Sequence, residues 1–395
     1  MFTFREKLAI DNKLQDLLNS EIKRQSKEIN LIASENIASR EVMALTGSPF
    51  TNKYAEGYPG KRYYQGCKYY DELEIYAQDL AKELFEAEYA NVQPHSGANA
   101  NLAVMQALLE PGDKILSLGL PEGGHLSHGT KVNISGKLYT VFNYELGEDN
   151  LLDYGKIAAY AEVVKPDMII AGYSAYAQTI EWSEFRAIAD KVGAIFLADF
   201  SHYSGLIAGK AYSSPVKHAH VCTSTTHKSL RGPRGGMILT NDYEIYQKIN
   251  KAIFPGTQGG PLMHVIAAKA QAYREALSDD FKNYASRVMV NARTMTSRFR
   301  ARGYDIVGGD TESHMFVVDF TSRNLTGKRV ADMLEKNKII VNYNTVPNDS
   351  KPPSQGSGIR IGTCYETTKG RDINDFLALA NNIIDLIEAN SINLI

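Results

Sequence analysis

The chain is 395 residues long, 44% hydrophobic and 22% charged, with a formal net charge of -2. That length can bury a large core and predicts two domains, and the near-neutral charge, with no basic stripe, argues against a nucleic-acid partner. The three cysteines, Cys67, Cys222 and Cys364, are too few and too scattered for a disulfide framework or a zinc site, and no apolar run approaches the ~20 residues of a membrane span, so a reducing, cytoplasmic setting is expected.

Residues 5–29 alternate charged and aliphatic positions at helical spacing, with Leu14, Leu17, Leu18 and Ile22 on one side. The segment 48–70 is rich in glycine and tyrosine, with Tyr54, Tyr58, Tyr63 and Tyr64 around Glu56. Each buried phenol must find a hydrogen-bond partner, so this stretch reads as a site loop more than as packing. Strand patterns then recur at Tyr89–Val92, Lys114–Leu118, Met168–Gly172 and Gly193–Asp199, separated by helical stretches. Such alternation predicts a mainly parallel sheet covered on both faces, with ligands at the strand ends.

Three features at those ends belong together. The run Asn91–Asn101 is a small-residue turn that opens a helix over Leu102–Leu109, and the free amides and dipole of a helix start suit a phosphate. The strand Gly193–Asp199 ends in a carboxylate, which can serve as a helix cap or pair with a pyridine nitrogen and keep it protonated. The stretch Thr223–Gly236 sets Lys228 among hydroxyls and His227, where a strand leaves the core. A desolvated lysine forms a Schiff base with an aldehyde, and the hydroxyls with His227 can hold a phosphate beside it. The combination suits pyridoxal phosphate.

Phe254–Pro261 is a glycine-proline turn, and the apolar-periodic stretch 262–302 predicts long helices leaving the first domain near residue 280. Met315–Asp319 and Ile339–Val341 read as strands flanked by helices, a small α+β domain. The expected division is a helical arm over 1–30, a large domain over 31–280 and a small domain over 281–395.

On the runs Leu31–Asn36, Thr51–Tyr64, Thr223–Gly236 and Ser357–Thr363, the chain resembles the serine hydroxymethyltransferases, and the resemblance covers nearly its whole length. That family implies an α/β large domain of the aspartate-aminotransferase type (fold type I), with a mainly parallel seven-stranded sheet and a smaller α+β C-terminal domain. It implies pyridoxal 5'-phosphate on Lys228, tetrahydrofolate as cosubstrate, and interconversion of serine and glycine. By resemblance, His125 stacks on the pyridine ring and Asp199 pairs with its nitrogen. Ser96, Gly97, Ala98, Ser174, Thr225 and His227 lie around the phosphate and the lysine, and His202 meets the ring hydroxyl. Ser34 and Arg360 hold the substrate carboxylate, a task suited to arginine's planar fork. The resemblance also makes the arm a segment packed on a partner subunit, although residues 5–29 read equally as an ordinary surface helix.

Further, it implies a homodimer, possibly a tetramer, with shared active sites. Tyr54, Glu56, Tyr63 and Tyr64 would reach into the partner's site, and Gly259 and Gly260 would lend amides to the partner's cofactor phosphate. Glu56 is then the proton-handling carboxylate, tuned by burial against aromatic rings. Leu120, Gly124, Leu126, Tyr63 and Asn344 would line the folate pocket. No metal is implied.

The chain departs from the family pattern at Glu122 in place of a histidine, at Ala98-Asn99 in place of Ser-Gln, and at Phe200-Ser201 after Asp199. Ser354, Gly356 and Cys364-Tyr365-Glu366 replace the usual residues of the folate-side loops. Two other readings therefore stay open. One is a pterin-independent or modified-pterin aldolase or transferase acting on a related β-hydroxy or α-methyl amino acid. The other is an inactive paralogue serving as a binding subunit, against which the retained Lys228, Asp199, His125, Glu56 and Arg360 count.

Overall fold

The computed structural model describes residues 10–394. The start of the predicted arm, residues 1–9, and Ile395 lie outside the described residues.

Seven strands form the central sheet, in the order Tyr89–Asn91, Gly236–Thr240, Val221–Thr225, Ile195–Asp199, Met168–Ala171, Lys114–Leu118 and Thr140–Tyr144. Only Gly236–Thr240 runs antiparallel to its neighbours. The inner strands are covered on both faces, which is why Met168–Ala171 and Val221–Thr225 are buried at every position. Thr140–Tyr144 was not predicted: it is an edge strand, largely uncovered, and its sequence lacks the apolar run that marks the others. Asp199 and Thr225 stand at the carboxyl ends of adjacent parallel strands, and pairing of Gly236 with Thr225 brings the start of the antiparallel strand to the same edge.

A second sheet of four antiparallel strands, Asp305–Ile306, Met315–Asp319, Gly358–Gly362 and Asn342–Asn344, carries the C-terminal part of the chain. The predicted long helices are Met263–Ala276 and Asp279–Ala301, divided at Ser278, whose side chain accepts from the Phe281 amide and starts the second helix. Phe299, Phe316, Phe320 and Phe376 fill the core of this unit, each contributing about 1.5–3 kcal/mol by leaving water. Leu31 joins that core, because Ile29–Asn30 pairs in parallel with Ile339–Ile340. The chain is thereby anchored to the C-terminal unit just before it reaches Ser34.

The N-terminal helix runs Asn12–Lys27, capped by Asp11, and buries none of its residues; Leu14, Leu17, Leu18 and Ile22 all stand exposed. Among the described residues no helix is long and apolar enough to cross a membrane.

Candidate active site

A cavity of about 450 Å³ opens at the carboxyl edge of the central sheet. Twelve of the residues predicted for the site line it: Ser34, Ser96, Gly97, Ala98, His125, Ser174, Asp199, His202, Thr225, His227, Lys228 and Arg360. They come from seven separate segments, which only the tertiary fold brings together.

Asp199 forms one wall, and donors occupy both of its carboxylate oxygens. Oδ2 accepts from His128 Nε2 at 2.9 Å and Asn101 Nδ2 at 2.8 Å, while Oδ1 accepts from the Ser201 hydroxyl at 2.6 Å and the Ser201 amide at 3.1 Å. Burial raises a carboxyl's pKa, but here the His128 hydrogen bond and the neighbouring His128, His125 and Lys228 outweigh it and hold Asp199 far below the usual carboxylate range. The group is therefore a fixed anion. Thr223 donates its hydroxyl to Asn101 Oδ1 at 2.6 Å, which orients the amide so that its nitrogen faces Asp199. Sequence reasoning missed His128, Asn101 and Ser201 as site residues. The available signal was a polar Asn101 on the otherwise apolar buried face of its helix.

Lys228 follows the strand Val221–Thr225 by three residues and is buried. Burial pushes its ammonium down to about 8, with Arg360 and Arg234 acting in the same direction and Asp199 against. Near neutral pH a usable fraction is free amine, as capture of an aldehyde requires. His125 takes the Ser127 amide on Nδ1 at 3.2 Å, so it caps a short turn while its ring faces the cavity, and burial pushes it down to about 4.

Another part of the cavity suits an anion. Helix Gly97–Leu108 starts there, and helix geometry leaves the Gly97 and Ala98 amides without intrahelical acceptors. The Ser96 hydroxyl caps the helix by accepting from the Asn99 amide and donates to the Asn99 side chain at 2.7 Å, so the departure at Asn99 holds the cap in place. A Cβ at Gly97 would lie 2.7 Å from Thr225 Cγ2, so only glycine lets the two walls meet. His227 Nδ1 is buried without a partner, and burial beside Arg234 and Lys228 pushes its pKa down to about 3, leaving a neutral imidazole. An amine, a fixed carboxylate and an orphaned imidazole nitrogen beside free amides are the complement of pyridoxal phosphate, and the residues present fit that group.

Arg360 projects into the cavity from the strand Gly358–Gly362. Its Nε donates to Asn342 Oδ1 at 3.0 Å and its Nη1 to the Ser174 carbonyl, contacts that fix the fork. Burial pushes its pKa down to about 10, and no carboxylate among the described residues offsets this. A buried guanidinium without a counter-ion is suited to a carboxylate. Ser34 lines the same cavity, and His202 is held by His314, with 3.3 Å between Nδ1 and Nε2.

The remaining predicted residues do not line this cavity. Tyr54, Tyr63 and Tyr64 are 64%, 73% and 45% exposed, too open for core packing. They form a surface cluster: the Tyr54 and Tyr64 rings lie 5.6 Å apart, Cβ atoms at Gly260 and Gly259 would contact Tyr54 and Glu56, and Tyr63 rests on Phe254. Arg62 pins this loop down through Asp71 at 2.8 Å and the buried Glu74 at 2.7 Å. Leu120, Gly124, Leu126 and Asn344 line a second pocket of about 190 Å³, which shares His125 and Ser174 with the first. Tyr343, absent from the sequence reading, lines it too.

A model of the serine hydroxymethyltransferase family matches residues 8–383. The chain is 52% identical to a serine hydroxymethyltransferase of Chromohalobacter salexigens over 98% of its own length and 93% of that protein's. It is 51% identical to one of Xanthomonas euvesicatoria over 96% and 91%, and 52% identical to one of Dichelobacter nodosus over 98% and 94%.

The chain belongs to the serine hydroxymethyltransferase family.

Seen as a serine hydroxymethyltransferase sequence, several of its departures have local structural reasons. Glu122 accepts from the Leu146 amide at 2.7 Å and holds a neighbouring loop. Gly356 sits at φ 55°, and a Cβ there would lie 2.4 Å from the Asn344 carbonyl oxygen, so the loop closes on the second pocket's asparagine only with glycine. Cys364-Tyr365-Glu366, expected beside the folate pocket, does not line it; the buried Glu366 pairs with Arg371 at 2.7 Å and accepts from the Asn30 amide at 2.9 Å.

Proposed function

We propose that the chain catalyses the reversible conversion of L-serine and tetrahydrofolate to glycine and 5,10-methylenetetrahydrofolate, using pyridoxal phosphate. The observation that carries this reading is the placement of Lys228, the wired anion Asp199 and the counter-ion-free Arg360 around one cavity. A binding subunit needs no such set.

Lys228 would hold the cofactor aldehyde, Asp199 its ring nitrogen, and Gly97, Ala98 and His227 its phosphate. Pyridoxal phosphate, when bound, supplies an electron-poor ring that accepts the electron pair left at Cα when the Cα–Cβ bond of serine breaks. Arg360 and Ser34 bind the serine carboxylate and turn Cα toward the ring. Glu56, supplied by a neighbouring subunit, takes the proton from the serine hydroxyl as the one-carbon unit leaves at the oxidation level of formaldehyde. That unit passes to tetrahydrofolate in the adjoining pocket of Leu120, Leu126 and Asn344, where its carbon bonds two ring-system nitrogens and its oxygen leaves with their two protons as water, and a proton returned to Cα completes glycine. The shared wall at His125 and Ser174 puts the two pockets side by side, which favours a pterin acceptor over a pterin-independent aldolase.

The free cysteines Cys67, Cys222 and Cys364 suit a cytoplasmic protein, and we read the assembly as a homodimer with shared sites. The arm over 1–30, the large domain over 31–280 and the small domain over 281–395 are its proposed divisions. The test is serine cleavage by the purified protein with and without tetrahydrofolate. Turnover that depends on tetrahydrofolate is expected; equal turnover without it would favour the aldolase, and none in either case the binding subunit.

A further inference from the structure

Lys269, on the helix Met263–Ala276, is 1% exposed, and its ammonium is held by backbone carbonyls alone: Val92 at 2.7 Å, Gly236 at 2.8 Å and Pro94 at 3.0 Å. Among the described residues no carboxylate pairs with it; the acid that acts on it, Glu74, is already bound by Arg62 and Gln93. Burial pushes the ammonium down to about 7. A buried cation with only dipoles for company carries a desolvation cost that a methionine of similar volume would avoid, so its position calls for a reason.

The three carbonyls supply one. Pro94 lies just ahead of the Ser96–Gly97 turn, and its carbonyl also accepts from the Gly236 amide at 3.0 Å. Gly236 abuts that turn so closely that a Cβ on it would sit 2.4 Å from the Ser96 carbonyl oxygen. Gly235 accepts on its carbonyl from the Thr226 amide at 3.1 Å, one residue before His227. A Cβ on Gly235 would lie 2.5 Å from Lys269 Cε, so glycine there is what lets the lysine reach through. The ammonium thus sits directly behind both walls of the anion-binding end of the cavity, and its charge acts on His95 and His227.

We propose that Lys269 is a positioning residue for the cofactor phosphate: it clamps the Pro94–Gly97 turn to the Gly235–Gly236 backbone and lends that end positive charge, which a bound phosphate dianion offsets. This rests on the reading of the cavity as a pyridoxal-phosphate site. Its signature is a loss specific to the phosphate, not a loss of the aldehyde reaction at Lys228.

The experiment compares two probes on the cofactor-free protein, pyridoxal phosphate and pyridoxal, which share ring and aldehyde and differ only in the phosphate. Binding is followed by absorbance. Lys269→Met should weaken pyridoxal phosphate by at least about tenfold, the effect of losing a charge-assisted contact, while changing pyridoxal less than about twofold. Gly235→Ala keeps the lysine but displaces its end, and should give the same phosphate-specific loss in smaller degree; it carries the test should Lys269→Met fail to fold. Equal losses for both probes, or no loss, would overturn the role of Lys269. A wild-type protein that takes up neither probe would overturn the cofactor reading itself.

Discussion

His128 Nε2 lies 2.9 Å from Asp199 Oδ2 in a setting where both side chains are buried. The pair keeps the strand-end carboxylate ionised against its own burial, so the anion at the ring-nitrogen position is a property of the network and not of the aspartate alone. His128→Ala should therefore destabilise the cofactor-free protein by about 1.5–3 kcal/mol at pH 7 in denaturant unfolding. A carboxylate whose folded pKa is depressed contributes its full stability above the unfolded value of about 3.9 and loses it progressively as pH falls toward the folded one. The difference between wild type and variant should accordingly be largest at neutral pH and shrink below pH 4. A difference that grows on acidification would contradict this account.

Capture of pyridoxal phosphate by the cofactor-free protein should accelerate with pH and level off above about 8, because the reactive form of Lys228 is the free amine and burial sets its pKa there. Borohydride treatment of the yellow holoprotein should then leave the cofactor fixed on Lys228, read by peptide mass. A label on another lysine would remove Lys228 from the proposed chemistry.

Arg360→Ala should weaken serine binding by about 1.5–3 kcal/mol while cofactor absorbance stays intact, since the guanidinium is held by the neutral Asn342 and Ser174 oxygens and meets no counter-ion among the described residues. Titration with serine monitored through the cofactor spectrum measures it. Unchanged affinity would place the carboxylate elsewhere.

Glu56 and Lys228 sit in separate places on one chain, the first beside Gly259 on the surface and the second in the cavity. If neighbouring subunits complete each other's sites, inactive Glu56→Gln and Lys228→Ala homodimers should regain activity on mixing, to about half of wild type per heterodimer, because one of two sites receives both intact residues. Native mass measurement checks the exchange. Exchange without recovered turnover would show that Glu56 is not shared or not catalytic.

Much of the site was legible where the chemistry is local. Lys228 in a hydroxyl-rich strand exit, Asp199 at the end of an apolar run, and the small-residue turn before Leu102 each announce themselves within about ten residues, because strand period and helix start are short-range signals. His128 and Asn101 were not legible as partners of Asp199, since nothing in the sequence says that they converge on a carboxylate 71 and 98 positions away, whereas Ser201, two positions on, lay within reach of a local reading. Lys269 was hidden for the same reason, lying in a helical stretch that reads as ordinary amphipathic packing.

By itself the sequence determined the alternation of strands and helices, the mainly parallel sheet and the residue types suited to an aldehyde, a phosphate and a carboxylate, because these follow from side-chain period and functional-group chemistry. Only the tertiary structure decided which edge of the sheet gathers them. The single antiparallel strand Gly236–Thr240 returns beside Thr225, bringing the Ser96 turn, His227 and Lys269 to one end. It also decided that Arg360 meets no counter-ion among the described residues and that Glu56 stands outside the cavity of its own chain, since burial and pairing are properties of the assembled surfaces and not of the positions in the chain.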